Sequence, residues 1–167
     1  MSASQPWICH AVVPAFSGRS RRIEMRDRLA CAMVRAMKAM ALTGPRRMEM
    51  IERPMPRVRS AHEVLLRVES VGVCGSDVHY YEEGRIGSQV VSYPFIVGHE
   101  CSATVVETGA AVRRVRPGDR VAVEPAVSCG DCDQCRSGRR HTCRRLRFLG
   151  CPGQLEGCLC EWIVLPE

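Results

Sequence analysis

Lysine is almost absent from this 167-residue chain: Lys38 is the only one, so 23 of the 24 basic side chains are arginines. Aromatic residues are scarce too, with 3 Phe, 3 Tyr and 2 Trp. A surface that grips nucleic acid ordinarily interleaves clustered basic groups with aromatic ones. Here the arginines are spread along the chain, so the net charge of +6 reads as a solvated basic surface. No specific nucleic-acid partner is expected. No apolar run approaches the roughly 18 residues that a membrane-spanning helix needs, and no secretory signal is evident. Also missing is any G-x-G-x-x-G that follows a strand and opens a helix, so no dinucleotide site is recognisable. The length suits one domain with a core of its own.

Cysteine is abundant instead. Eleven cysteines is an odd number for a set of disulfides, and four of them fall in one tight cluster. That combination points to metal binding in a reducing compartment, and hence to a cytoplasmic protein.

Residues 1–36 differ from the remainder. They hold Arg19, Arg21, Arg22, Arg26, Arg28 and Arg35 without strand alternation. Glu24 and Asp27 weigh against a transit peptide, and Pro6 and Pro14 limit helix. We expect a poorly ordered extension, with a start read too early, before a domain over 37–167. From Met37 onward short strands follow one another: Met37–Leu42, Arg47–Arg53, Glu63–Val71, Ser102–Glu107, Arg120–Val123 and Leu159–Leu165. Turn signals separate them, the strongest being Pro117-Gly118-Asp119. This pattern predicts a mainly β fold, a barrel or sandwich, with no βαβ repeats.

Cys129, Cys132, Cys135 and Cys143 follow a C-x2-C-x2-C-x7-C spacing. Short C-x2-C steps let thiolates turn inward around one ion, and zinc favours four of them in a tetrahedron at about 2.3 Å. The first three also match an iron–sulfur spacing, but the fourth does not fit the ferredoxin run. With four protein ligands the metal has no open position, so its role would be structural. Six flanking arginines, Arg136, Arg139, Arg140, Arg144, Arg145 and Arg147, read as solvated surface.

A second constellation comprises Gly72-Val73-Cys74-Gly75-Ser76-Asp77-Val78-His79 and Gly98-His99-Glu100. Cys74 sits between a strand and a predicted helical turn. A thiolate, an imidazole and a carboxylate form a three-ligand zinc set with one position free for water or substrate. Neighbouring strand residues point to opposite faces. His99 and Glu100 can therefore share an ion only if the backbone bends, which Gly98 permits; otherwise Glu100 stands behind the metal. Asp77 is a candidate to accept the other ring N–H of His99.

These residues resemble the zinc-containing medium-chain dehydrogenases, in particular the sorbitol, xylitol and threonine dehydrogenase branch. GVCGSDVH, PFIVGHE, PGDRVAVEP and the CGDCDQC…C lobe occur in the family's order over about residues 37–167. The resemblance implies a GroES-like β-barrel with short helices and a small zinc-binding lobe, followed in the family by a Rossmann domain that this chain lacks. It implies two zinc ions: a catalytic one surrounded by Cys74, His99 and Glu100, and a structural one held by Cys129, Cys132, Cys135 and Cys143. It matches Ser76 to the hydroxyl that relays the substrate proton and His79 to a polar residue that passes it on. In some relatives a later cysteine completes the catalytic set and the glutamate stands back, so whether Glu100 is a direct ligand stays open.

The function implied is NAD(P)-dependent oxidation of a polyol or secondary alcohol. The chain is expected to be a fragment that stops before the cofactor half and is inactive alone. A zinc-stabilised binding module that has lost the chemistry is the second reading. One chain of a split enzyme, completed by a second chain carrying the cofactor domain or assembled as a homo-oligomer, is the third.

Overall fold

The computed structural model describes residues 35–167. Apart from residues 35 and 36, the expected N-terminal extension lies outside the described residues. The architecture is mainly β, as the strand pattern predicts.

The chain opens with a hairpin, β1 (Ala36–Gly44) against β2 (Arg47–Pro54). Its turn carries Arg46 at φ 57°. β3 (Glu63–Gly72) and β6 (Glu100–Thr108) form the centre of a four-stranded antiparallel sheet. β10 (Trp162–Pro166) and β7 (Arg120–Ala122) complete it, in the order β10-β3-β6-β7. Bridges Ala39↔Cys160 and Leu42↔Phe95 attach β1 to the rest. Alternation along these strands turns Val64, Leu66, Ala103, Val105, Val121, Ile163 and Leu165 into one core. A smaller cluster of Leu42, Tyr80, Val91, Phe95 and Val97 seats the helix described next.

Between β3 and β6 lies α1 (Gly75–Glu83), capped at its start by Cys74 and stopped by Gly84 in the left-handed region at φ 69°. A short hairpin of β4 (Arg85–Ile86) and β5 (Gln89–Val90) follows. Beyond β7, β8 (Ala126–Val127) pairs with β9 (Arg147–Phe148). This two-strand neck carries a loop with a single helical turn, α2 (Asp133–Arg136), and a 3-10 turn at Arg140–Thr142.

The Pro117-Gly118-Asp119 turn forms as expected: Gly118 has φ 97° and the Asp119 N–H donates to Arg116 O at 3.1 Å. The last strand departs from expectation. It begins at Trp162, not Leu159, because residues 157–159 bond instead to the segment before β6. Gly157 N donates to Ile96 O (2.7 Å), Cys158 N to Gly98 O (2.9 Å) and Leu159 N to Val97 O (3.1 Å). A Cβ at Gly157 would overlap the Val97 backbone, so only glycine allows this approach.

Candidate metal centres

Cys74 lies at the junction of β3 and α1. Asp77, three residues on, closes the helix start: its Oδ2 accepts the Cys74 N–H at 3.0 Å, and the Asp77 N–H donates back to Cys74 O at 3.0 Å. His99 and Glu100 arrive from the other side, where the 96–98 segment runs into β6. Gly98 has φ 96°, and β6 begins only at Glu100, so the bend that two adjacent ligands require is present.

The outcome is convergence. One ligand atom each from Cys74, His99 and Glu100 lies within 4.8 Å of the others. Cys74 and His99 are half-buried and Glu100 is exposed. Gly72 pairs with Glu100 across β3 and β6, and a Cβ there would sit 2.8 Å from Glu100 Oε2. The bare glycine is what leaves room for the carboxylate.

Asp77 is the one buried charged residue in the core of the described chain. Its Oδ1 accepts the Gly98 N–H at 3.1 Å. His99 Nδ1 stands 3.6 Å from the same oxygen, beyond hydrogen-bond length, so the expected Asp77–ring bond is replaced by a bond to the backbone just before the ring. Ser76 and His79 lie on α1 at a spacing of three, which places them on one face of the helix. Ser76 is half-buried; His79 is exposed, with Nδ1 3.8 Å from Glu83 Oε1. An apolar cavity of about 270 Å³ is walled by Gly72, Val73, Asp77 and Gly98, near the ligands in sequence, together with Met48, Val78 and Tyr81; none of the three ligand residues lines it.

The second cluster lies on the β8–β9 loop. The sulfurs of Cys129, Cys132, Cys135 and Cys143 all lie within 4.8 Å of one another. Placed at the corners of a tetrahedron with bonds of about 2.3 Å, sulfurs would stand about 3.8 Å apart. The observed separations are 3.8 Å for Cys129–Cys135, 3.5 Å for Cys132–Cys135, 3.9 Å for Cys132–Cys143 and 3.4 Å for Cys129–Cys143. The donor set and its edges therefore fit one thiophilic ion.

Backbone amides aim at these sulfurs. The N–H groups of Cys129 and Arg145 each reach Cys143 Sγ at 3.3 Å. The amides of Arg144 and Cys135 hold the Cys132 thiol down at about 6. Asp131 works in the opposite direction on Cys129, pushing its thiol up to about 11. Two of the flanking arginines brace the loop. Arg144 is bidentate on Asp133, at 2.6 and 2.8 Å, and Arg145 pairs with Asp131. All four groups are exposed, so these pairs set loop geometry more than stability.

Four described cysteines lie outside both clusters: Cys101, Cys151 and Cys158 are buried, and Cys160 is half-buried. Every described cysteine is a free thiol. Bonding between their side chains holds the Cys101 thiol down and drives Cys158 up. Burial raises Cys160 to about 11. Nothing in their sequence spacing signals this meeting, since Cys101 and Cys158 come together only through the 157–159 segment.

Residues 60–167 match the alcohol dehydrogenase GroES-like domain. The chain belongs to this family. Over 131 residues it is 43% identical to sorbitol dehydrogenase of Bacillus subtilis, covering 78% of this chain and 36% of that protein. Over 126 residues it is 41% identical to D-xylulose reductase A of Aspergillus oryzae, covering 75% and 35%. Among solved structures, a putative zinc-binding dehydrogenase of Sinorhizobium meliloti bound to NADP superimposes with a TM-score of 0.64 at 33% identity, over 79% of this chain and 36% of that one. The chain thus spans about a third of the length of the relatives it matches. The matched third is the GroES-like part of a zinc-type medium-chain dehydrogenase.

Proposed function

We propose that this domain is the metal- and substrate-binding half of a zinc-dependent oxidoreductase that interconverts a polyol, or another secondary alcohol, and its ketone with NAD(P). The convergence of Cys74, His99 and Glu100 carries the reading. One thiolate, one imidazole and one carboxylate suit a zinc ion with a fourth position left for substrate. Zinc bound there supplies a Lewis acid that lowers the pKa of a coordinated hydroxyl. Glu100 completes the ligand set with its negative charge. Ser76, in the first turn of α1, accepts the hydroxyl proton. His79, on the same face and open to solvent, carries it onward. The apolar cavity next to the Cys74 and His99 segments takes the carbon skeleton. The names of the relatives, a sorbitol dehydrogenase and a D-xylulose reductase, support a polyol–ketose pair.

Cys129, Cys132, Cys135 and Cys143 hold a second, structural zinc ion. NAD(P) binds to a Rossmann half supplied by a second domain or a partner chain, and oligomerisation would proceed through that half. Free thiols in metal-ligand groupings support a cytoplasmic location. Among the described residues no helix is long and apolar enough to cross a membrane.

Metal analysis of the purified chain tests the assignment. Two zinc ions per chain are expected, falling to one in Cys74→Ser. A single ion in the wild type, or a count unmoved by Cys74→Ser, overturns it. With NAD(P) and a polyol panel, the 167-residue chain alone is expected to show no turnover. Clear turnover without a second polypeptide refutes the assignment of cofactor binding to another unit.

A further inference from the structure

The structure assigns Asp77 as a positioning residue that clasps the Cys74 and His99 segments together through the backbone, and so holds the ligand site ready before any metal arrives. The inference rests on reading Cys74, His99 and Glu100 as a metal site.

Cys74 and His99 lie 25 residues apart in sequence and belong to different elements. A metal could gather them from separate positions at the cost of ordering both segments. Asp77 removes that need. One oxygen takes the amide of Cys74 at 3.0 Å, and the other takes the amide of Gly98, adjacent to His99, at 3.1 Å. The carboxylate is buried, with 6% of its surface exposed, so the bond to Gly98 lies away from competing water and the bond to Cys74 is partly shielded from it. A charged acceptor makes each of them stronger than a neutral one would. Gly98 is fixed from behind as well, since its carbonyl accepts Cys158 N–H at 2.9 Å. The two amides clasped are those of a ligand residue and of a ligand's immediate neighbour. The clasp thereby sets the Cys74–His99 separation through atoms that metal binding does not touch. A contact to the imidazole alone would orient the ring without fixing Cys74.

The discriminating variant is Asp77→Asn. It keeps the size of the side chain and one carbonyl acceptor, but turns an NH2 group toward the second amide. Two measurements are made on the full chain. The first is amide hydrogen exchange in metal-free protein. The Cys74 and Gly98 amides are expected to be protected in the wild type and to exchange at least 10-fold faster in Asp77→Asn, while Val105 and Leu66 amides in the sheet are unchanged. The second is cobalt titration, in which the tetrathiolate lobe and the mixed cysteine–histidine site give separate absorption bands. Affinity of the mixed site is expected to fall about 10- to 100-fold with the lobe unaffected, the range for losing a group that supports ligands. Unprotected Cys74 and Gly98 amides in the wild type overturn the clasp, as does a mixed site of unchanged cobalt affinity in the variant. If both amides are protected but wild-type protein shows no mixed-site cobalt band, the clasp stands and the metal reading fails. If Asp77→Asn also melts the sheet amides, Asp77→Glu serves as second variant. Restored protection together with cobalt affinity still lowered by a displaced ligand pair supports the clasp; wild-type affinity without protection overturns it.

Discussion

Adding one methyl group at Gly72 should weaken the proposed catalytic metal site while leaving the fold intact. Gly72 ends β3 directly across from Glu100, and a Cβ there would stand 2.8 Å from Glu100 Oε2 and 3.2 Å from Glu100 Cβ. An ordinary carbon–oxygen contact is about 3.4 Å, so the carboxylate must retreat by roughly 0.6 Å. Metal–ligand distances tolerate about 0.2 Å. The carboxylate is the free end of a flexible, exposed side chain, and the retreat itself costs the fold little. Because Gly72 does not occupy a left-handed conformation, alanine fits the backbone, and the gain of about 0.4–1 kcal/mol from a less flexible unfolded chain offsets the close approach of the new methyl group to Glu100 Cβ. Gly72→Ala is therefore expected to melt near the wild-type temperature. Its zinc affinity at the mixed site should drop about 10- to 100-fold or more, with the four-cysteine site still filled. Competition with a chromophoric chelator, read beside a thermal melt, measures both quantities. Unchanged affinity for two ions would show that Glu100 stands behind the metal. A collapsed melting temperature would show that the steric reasoning is wrong.

Two further outcomes follow from other parts of the molecule. Cys143→Ser removes a sulfur that stands 3.4 Å from Cys129 and accepts amides of Cys129 and Arg145. It should lower the metal count by one and open the 128–146 loop to limited proteolysis, and a resistant loop with full metal content would refute the structural role. Burial first, then Cys151, raises the Tyr80 phenol from 10.0 to about 12. Since the neutral form is favoured in the folded state, this contribution to stability is fully present below pH 10 and is lost as pH rises through about 12. Tyrosinate absorbance should show one group titrating late, and its loss in Tyr80→Phe would identify it.

Much of the fold could be read from the sequence where local pattern and tertiary placement agree. The β1, β2, β3 and β6 segments alternate or run apolar, and their edges fall within two residues of expectation. The 116–119 turn is set by proline and glycine alone. The four-cysteine lobe is local too, because its 15 residues contain every ligand and both turns. The last strand starts later than its sequence pattern predicts, since LCE is apolar enough for a strand but Gly157 hands residues 157–159 to the 96–98 segment. The two-residue strands β4, β5, β8 and β9 are too short to show any period. At the mixed site the bend at Gly98 was foreseeable from a steric requirement. The partner of Asp77 was not, because whether its oxygen meets a ring or an amide depends on how two distant segments dock. The full length of α1 was also hidden, since it carries no apolar stripe and is bounded by its caps.

The two ligand groups sit on independent stretches of chain, one spanning a β-strand, a helix and a second strand, the other a self-contained loop beyond β8. Among the described residues no ligand belongs to both groups, but the His99 ring packs on Phe148 of β9, a strand of the neck that carries the loop, with ring centroids 5.4 Å apart. The two groups can still fill to different extents, and a preparation averaging one ion per molecule has two very different meanings. It can be a population with the mixed site empty, or one with that site filled and the loop stripped of its metal. Occupancy has to be assigned position by position before any measured rate is set against it.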